Sequence, residues 1–118
     1  MKGSFKDLIV WQKAVEFSLN IYRLTAALPP SEQFGLTNQL RRASVSIASN
    51  IAEGYGRATK GEEVQFLGHA RGSTWEVQTQ LAIAIELGFW SVESRCAAEG
   101  LCDEIGRMLV AMMKKLRG

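Results

Sequence analysis

Arg42, Arg71 and Glu76 are the residues whose types and spacing come nearest to a chemical site. If a helical hairpin turns near Arg57, residues facing each other across it carry numbers that sum to about 114. That sets Arg42 beside Gly72, Ala43 beside Arg71, Ser46 beside Gly68 and Asn38 beside Glu76. Arg42, Arg71 and Glu76 then share one level of a bundle. Two chemistries fit them. One is a buried ion-pair network that fixes helix register, since an uncompensated buried ion costs several kcal/mol. The other is an anion site, with Glu76 holding two guanidinium groups ready for phosphate. Asn50 and Glu53 extend the polar set toward the Gly54-Tyr55-Gly56 turn. Glu53, Arg57 and Lys60 form a local charge cluster there, and Asn50 is placed to bond the backbone freed by the turn.

Catalytic constellations are scarce. The single histidine is His69, so acid–base work would rest on carboxylates, Tyr or Lys. Neither a Gly-x-Ser-x-Gly elbow nor a P-loop occurs. The two cysteines, Cys96 and Cys102, are six residues apart and point to different faces of one helix. They read as free, partly buried thiols, with no Cys-x-x-Cys pair for a metal. The sequence therefore predicts no catalytic residues, no cofactor and no metal.

The elements that must position these side chains are four helices, over about 8–28, 37–54, 60–87 and 91–117. The first carries two apolar stripes. Val10, Ala14, Phe17, Ile21, Leu24 and Leu28 form one, and Leu8, Trp11, Val15, Leu19 and Tyr22 the other. A helix this apolar buries more than one side, so Trp11, Val15, Leu19 and Tyr22 are assigned to a partner interface. Pro29-Pro30 ends it. The second helix has Leu36, Leu40, Ala43, Ile47 and Ile51 inward and Gly54 as a left-handed cap. Thr59 and Glu62 open the third as a capping box. Its stripe is Leu67, Ala70, Thr74, Val77, Leu81 and Ala84, with Gly88 as the stop. Gly68 and Gly72 read as a notch for a neighbouring backbone. Ser91 caps the fourth helix, whose stripe is Ala98, Leu101, Ile105, Met108 and Met112 with Leu109, Met113 and Leu116 beside it. Short loops predict an all-α, antiparallel up-down-up-down four-helix bundle, one domain over residues 1–118.

Composition agrees with that class. Of 118 residues, 47% are hydrophobic, enough for one core. No stretch of 18 apolar residues offers a transmembrane helix, and no h-region marks a signal peptide, so a cytoplasmic location with no membrane contact is expected. The net charge of +2 is uneven: residues 1–60 hold eight basic and four acidic side chains, a net of +4, and residues 61–118 a net of −2 from six and eight. A basic half is a footprint for nucleic acid or an ordinary mixed surface. Arg41, Arg42, Arg57, Lys60 and Arg71 are the candidate phosphate contacts, with Arg41 and Arg57 expected to be the most exposed.

Several blocks occur in an order that carries a resemblance. They are Asp7-Leu8-Ile9-Val10-Trp11-Gln12-Lys13-Ala14, Gly35 to Ala43, Ser46-Ile47, Asn50 to Gly54, Phe66-Leu67, Ala70 to Ser73, Glu76 and Leu87-Gly88. Over about residues 5–90 the chain resembles the bacterial four-helix-bundle proteins encoded in intervening sequences of 23S ribosomal RNA genes. The resemblance implies a homopentamer without enzymatic activity and with an unsettled biological role. It also implies a relationship to the accessory variability determinant of diversity-generating retroelements, a basic pentamer that binds nucleic acid and a reverse transcriptase. Two functions are therefore expected of this chain: binding RNA or DNA through a basic surface, or acting as a protein-interaction scaffold with a partner such as a reverse transcriptase.

Overall fold

Proline and glycine set the element boundaries, and side-chain caps refine them. The computed structural model describes residues 3–118. Its helices are α1 (Ile9–Thr25), α2 (Leu36–Tyr55), α3 (Lys60–Glu86) and α4 (Val92–Arg117), and no strand occurs among the described residues. Two 3-10 turns accompany them. Phe5–Asp7 precedes α1, and Pro30–Glu32 lies in the α1–α2 connection. In the first, Phe5 meets Trp11 edge-on at 5.3 Å.

α1 stops three residues short of Leu28, because its last turn is tied off by side chains. The buried Thr25 hydroxyl donates to the Ile21 carbonyl at 2.7 Å, and Arg41 from α2 caps the same turn. Gly54 does not end α2. It is helical and buried, and α2 continues to Tyr55. Space is the reason for glycine here: a Cβ at this position would lie 3.0 Å from Phe66 Cβ and 3.3 Å from the Glu63 carbonyl. The hairpin helices meet there.

α3 opens with the Glu62 N–H donating to Thr59 Oγ1 at 3.1 Å. The Thr59 hydroxyl itself donates to the Glu62 carboxylate at 3.1 Å. At the other end Gly88 takes φ +82°. The Phe89 N–H then reaches the Ala84 carbonyl at 3.0 Å and the Gly88 N–H that of Ile85 at 2.9 Å, the paired bonds of a left-handed glycine stop. Ser91 caps α4 by accepting from the Ser94 N–H.

Most of the core stripes of α2 and α3 fall as the spacing predicts: Leu40, Ala43, Ile47, Ile51, Leu67, Ala70, Thr74, Val77, Leu81 and Ala84 are buried, while Leu36, in the first turn of α2, is only partly covered. α1 contributes Val10, Ala14, Phe17 and Ile21, with Thr25 in place of Leu24 as the buried residue of the last turn. α4 is rotated from expectation. Its buried residues are Ala98, Cys102, Ile105, Leu109 and Met113, while Leu101, Met108 and Met112 are only partly covered.

Cross-helix bonds set the register. Ser18 meets Ser44, and Thr25 meets Arg41, between α1 and α2. Ser46 meets Ser73, and Gln39 meets Gln80, between α2 and α3. Lys13 pairs with Glu104, and Trp90 Nε1 donates to the Leu24 carbonyl beside α1's last turn, across the α1–α4 seam. In each case one number rises as the other falls, so the paired helices run antiparallel. The molecule measures 47 × 21 × 20 Å.

Candidate nucleic-acid interface

Residues three and four apart on a helix share a face, and α3 uses that spacing to present Arg71, Trp75 and Gln78 to α4. α4 answers with Asp103, Gly106 and Arg107. Together they line an open cleft of about 320 Å³ whose floor is Thr74 and Cys102. The Arg71 guanidinium lies over the Trp75 indole, 4.6 Å from the ring centroid. Trp75 remains 55% exposed. Gln78 Nε2 donates to Asp103 Oδ1 at 2.6 Å, which fixes both polar heads in the cleft wall. Neither Arg71 nor Arg107 makes an ion pair among the described residues. Beneath them the buried Cys102 thiol is pushed up to about 12 by loss of water, with Asp103 and Glu99 adding to the shift.

Arg71 therefore belongs to the α3–α4 cleft and not to a cluster with Arg42 and Glu76. Arg42 and Glu76 are both exposed and line a shallow pocket with Gln39 and Ser46 on the α2–α3 seam. No ion pair forms between them, so this level of the bundle holds no buried ionic network. What crosses the seam is neutral: Ser46 Oγ and Ser73 Oγ share a hydrogen bond of 2.9 Å. Asn50 joins that link. Its Nδ2 donates to the Ser46 carbonyl at 2.8 Å and to Ser46 Oγ at 3.0 Å, pointing back along α2 and away from the turn.

Arg41 is half-buried because it completes α1. Its Nε donates to Thr25 Oγ1 at 2.8 Å, a second nitrogen reaches the Tyr22 carbonyl at 3.3 Å, and the guanidinium covers the Tyr22 ring. That leaves little of it for a ligand. Arg57 is exposed, bonds Glu53 at 3.1 Å and lies over Phe66. Lys60 is exposed and stands outside the Glu53–Arg57 pair.

One end of the bundle presents several exposed basic side chains, beside Glu62 and Glu63 in the first turn of α3. α3 begins at Lys60, and α4, running the other way from the Gln78–Asp103 contact, ends at Lys114, Lys115 and Arg117. All four side chains are exposed, and none makes an ion pair among the described residues. Arg57 joins them from the α2–α3 turn. The opposite end is apolar at its surface: Phe34 is 87% exposed, with Ile83, Leu87 and Val92 also in solvent.

The assigned partner face lies along the α1–α2 seam. Trp11, Val15, Leu19 and Tyr22 line an apolar groove with Val45, Ala48 and Ala52. Trp11 and Val15 are half-buried in the subunit, while Leu19 and Tyr22 are about half exposed at 51% and 44%. Gly68 and Gly72 do not admit a neighbouring backbone within the chain, since a Cβ at either would meet nothing within 4 Å.

Trp75, Gln78, Asp103 and Arg107 were not singled out from the sequence. A signal for them exists. The α3–α4 hairpin turns near Phe89, so facing numbers sum to about 178, which sets Arg71 opposite Arg107. Among the described residues no group of three or more His, Cys, Asp or Glu side chains is placed to hold a metal ion. No helix among them is long and apolar enough to cross a membrane.

The profile of the family described as 23S rRNA-intervening sequence protein matches residues 6–111. A crystal structure of a protein of unknown function from the S23 ribosomal protein family of Bacteroides thetaiotaomicron VPI-5482 superimposes with a TM-score of 0.84. It shares 23% sequence identity, covering 90% of this chain and 99% of that one, and so has the same fold. No curated protein matches this chain.

Proposed function

The chain belongs to the 23S rRNA-intervening sequence protein family, and from that membership we propose a non-catalytic, cytoplasmic homo-oligomer that binds nucleic acid through a basic surface. The resemblance in its sequence implies five subunits. The observation that carries the binding role is the basic end of the bundle. Lys60, Lys114, Lys115 and Arg117 are exposed and make no ion pair among the described residues, so they are available to phosphates. Assembly repeats the patch, and repetition converts weak contacts into avidity. The apolar α1–α2 groove supports the assembly, because Leu19 and Tyr22 leave water only if another surface covers them.

Filter binding of structured RNA and of DNA across a salt series tests the reading. The expected result is affinity that falls with salt at a slope of about −0.7 per phosphate contact on single strands. Affinity no better than micromolar at low salt, and indifferent to salt, overturns it. Light scattering tests the assembly, and a 13.0 kDa particle at working concentration removes it.

A second reading draws on the other end of the molecule. Phe34, Ile83, Leu87 and Val92 form an exposed apolar cap, which suits a protein-interaction scaffold whose partner is a reverse transcriptase. A reverse-transcriptase gene beside this one, together with capture of that enzyme by the purified protein, favours the scaffold. Capture of nucleic acid alone counts against it.

A further inference from the structure

We propose that the α3–α4 cleft is a stacking site for an unpaired nucleobase of single-stranded nucleic acid, with Trp75 as the platform and Arg71 and Arg107 as the phosphate contacts. The inference rests on the nucleic-acid reading above and gives it a strand state and a place. Four observations carry it. Trp75 is an exposed indole on the outside of the bundle, at 55%, with the Arg71 guanidinium already over its ring, 4.6 Å from the centroid. Aromatic faces stack on any base, and a guanidinium stacks or moves to a phosphate with little loss. Arg71 and Arg107 converge on the same cleft from two helices, and neither is neutralised by an ion pair within the described chain. The cleft, at about 320 Å³, is open along one side, as a passing strand requires and an enclosed small-molecule pocket does not.

The fourth observation selects the ligand. Asp103 stands in the same wall, held by Gln78 at 2.6 Å. A bare phosphate would meet its repulsion. A nucleotide instead presents both signs: phosphate for the arginines, and base N–H groups for the Asp103 carboxylate and the Gln78 carbonyl oxygen. A duplex has its bases stacked and its Watson–Crick edges occupied, so it offers nothing to Trp75. The α4 wall of the cleft continues toward the basic end. Arg107 and Lys114 are seven residues apart on α4, about 10 Å along the helix, so a strand leaving the cleft runs onto Lys114 and Lys115.

Fluorescence anisotropy with fluorescein-labelled oligonucleotides tests this. One sequence is offered as single-stranded RNA, as single-stranded DNA and as a duplex. The proteins are wild type, Trp75→Ala, Arg107→Gln and, outside the cleft, Lys60→Gln. The expected result is that Trp75→Ala weakens both single strands at least fivefold, leaves the duplex within twofold and keeps the salt slope. Arg107→Gln weakens single strands and lowers the slope. Lys60→Gln weakens all three ligands alike. Trp75 and Arg107 are surface residues, and circular dichroism checks that the helices persist. If wild type binds single strands and Trp75→Ala binds them equally well, the cleft proposal is overturned while the general reading stands. An equal loss on duplex also overturns it. If wild type binds no nucleic acid, both fall. If Trp75→Ala lowers the particle mass in light scattering, the face is a contact between subunits and the stacking site is overturned.

Discussion

Cys96 and Cys102 differ by burial alone, and burial decides their chemistry. Cys96 is exposed, whereas Cys102 is enclosed with its thiol raised to about 12 and its hydrogen directed at the Thr74 carbonyl. We expect an aromatic disulfide reagent at pH 8 to titrate one thiol per native chain and two after unfolding in denaturant. Two rapid equivalents in the native protein would contradict the burial. Lys13 carries a second proton-linked effect. Its hydrogen bond and attraction to Glu104 raise its value above 10.5. A raised folded value means that the pairing contributes fully below the unfolded value and is lost as pH climbs through the folded one. Cys102 acts in the same direction, its contribution fading as pH rises above its unfolded value of 9.0 toward about 12. Stability measured by urea midpoint should therefore fall on the alkaline side, and Cys102→Ala and Lys13→Met should each flatten that fall. Arg41 shows where single-residue roles escape a sequence. The caps at Thr59 and Ser91 were legible because cap and capped N–H are three residues apart. Arg41 caps a turn 16 residues away, a partnership that exists only after α1 and α2 have packed. Arg41→Met should lower stability by about 1–3 kcal/mol, since it removes charge-assisted bonds at a helix end, read as a shift in urea midpoint.

At the scale of elements, glycine separates what spacing can tell from what it cannot. Gly54 and Gly68 are both helical, yet one is pressed against Phe66 and Glu63 and the other faces open space. Gly54→Ala should destabilise by about 1–3 kcal/mol, the usual cost of overpacking. Gly68→Ala and Gly72→Ala should each stabilise the helix by up to about 1 kcal/mol. Chemical denaturation of the three variants checks both signs, and stabilisation by Gly54→Ala would contradict the close approach at the hairpin. Three helix boundaries were readable because they are local events: Thr59, Gly88 and Ser91 each act within a few residues, whereas α1 ends at Thr25, ahead of Pro29. The stripes of α2 and α3 were readable for the same reason, a period of 3.6 with one buried face. α4 was not, because it is apolar on two sides and periodicity alone cannot rank Leu101 above Cys102. The Cys102 bond to the Thr74 carbonyl and the Lys13–Glu104 ion pair hold α4 in the rotation that turns Cys102 inward. The polar site suffered from a similar ambiguity. Facing numbers across α2 and α3 place Arg71 near Ala43, but the side chain leaves its helix on the α4 side, and only the third helix partner reveals that.

At the scale of the molecule, chemistry is sorted along and around a rod of 47 × 21 × 20 Å. Basic side chains collect where α3 starts and α4 ends, apolar ones collect at the far end, and an apolar groove follows α1 and α2. The second apolar face of the first helix is thus located, with Leu19 and Tyr22 in the groove, while Ile83 and Leu87 add exposed apolar surface at the far end. Leu19→Glu should reduce the particle mass in light scattering and weaken nucleic-acid binding through lost avidity, while leaving helicity unchanged. The seam between α1 and α4 differs from the others in kind. α1–α2, α2–α3 and α3–α4 are each bridged by a chain connection, the first longer than the other two, whereas among the described residues α1 and α4 are joined by side chains, such as Trp90 on the Leu24 carbonyl and Lys13 on Glu104. The cylinder is therefore a rolled sheet of helices with one unstitched edge. Unrolling along that edge breaks no loop geometry, so amide exchange in α1 and α4 should outpace that in the α2–α3 hairpin, and thermal breathing should begin there.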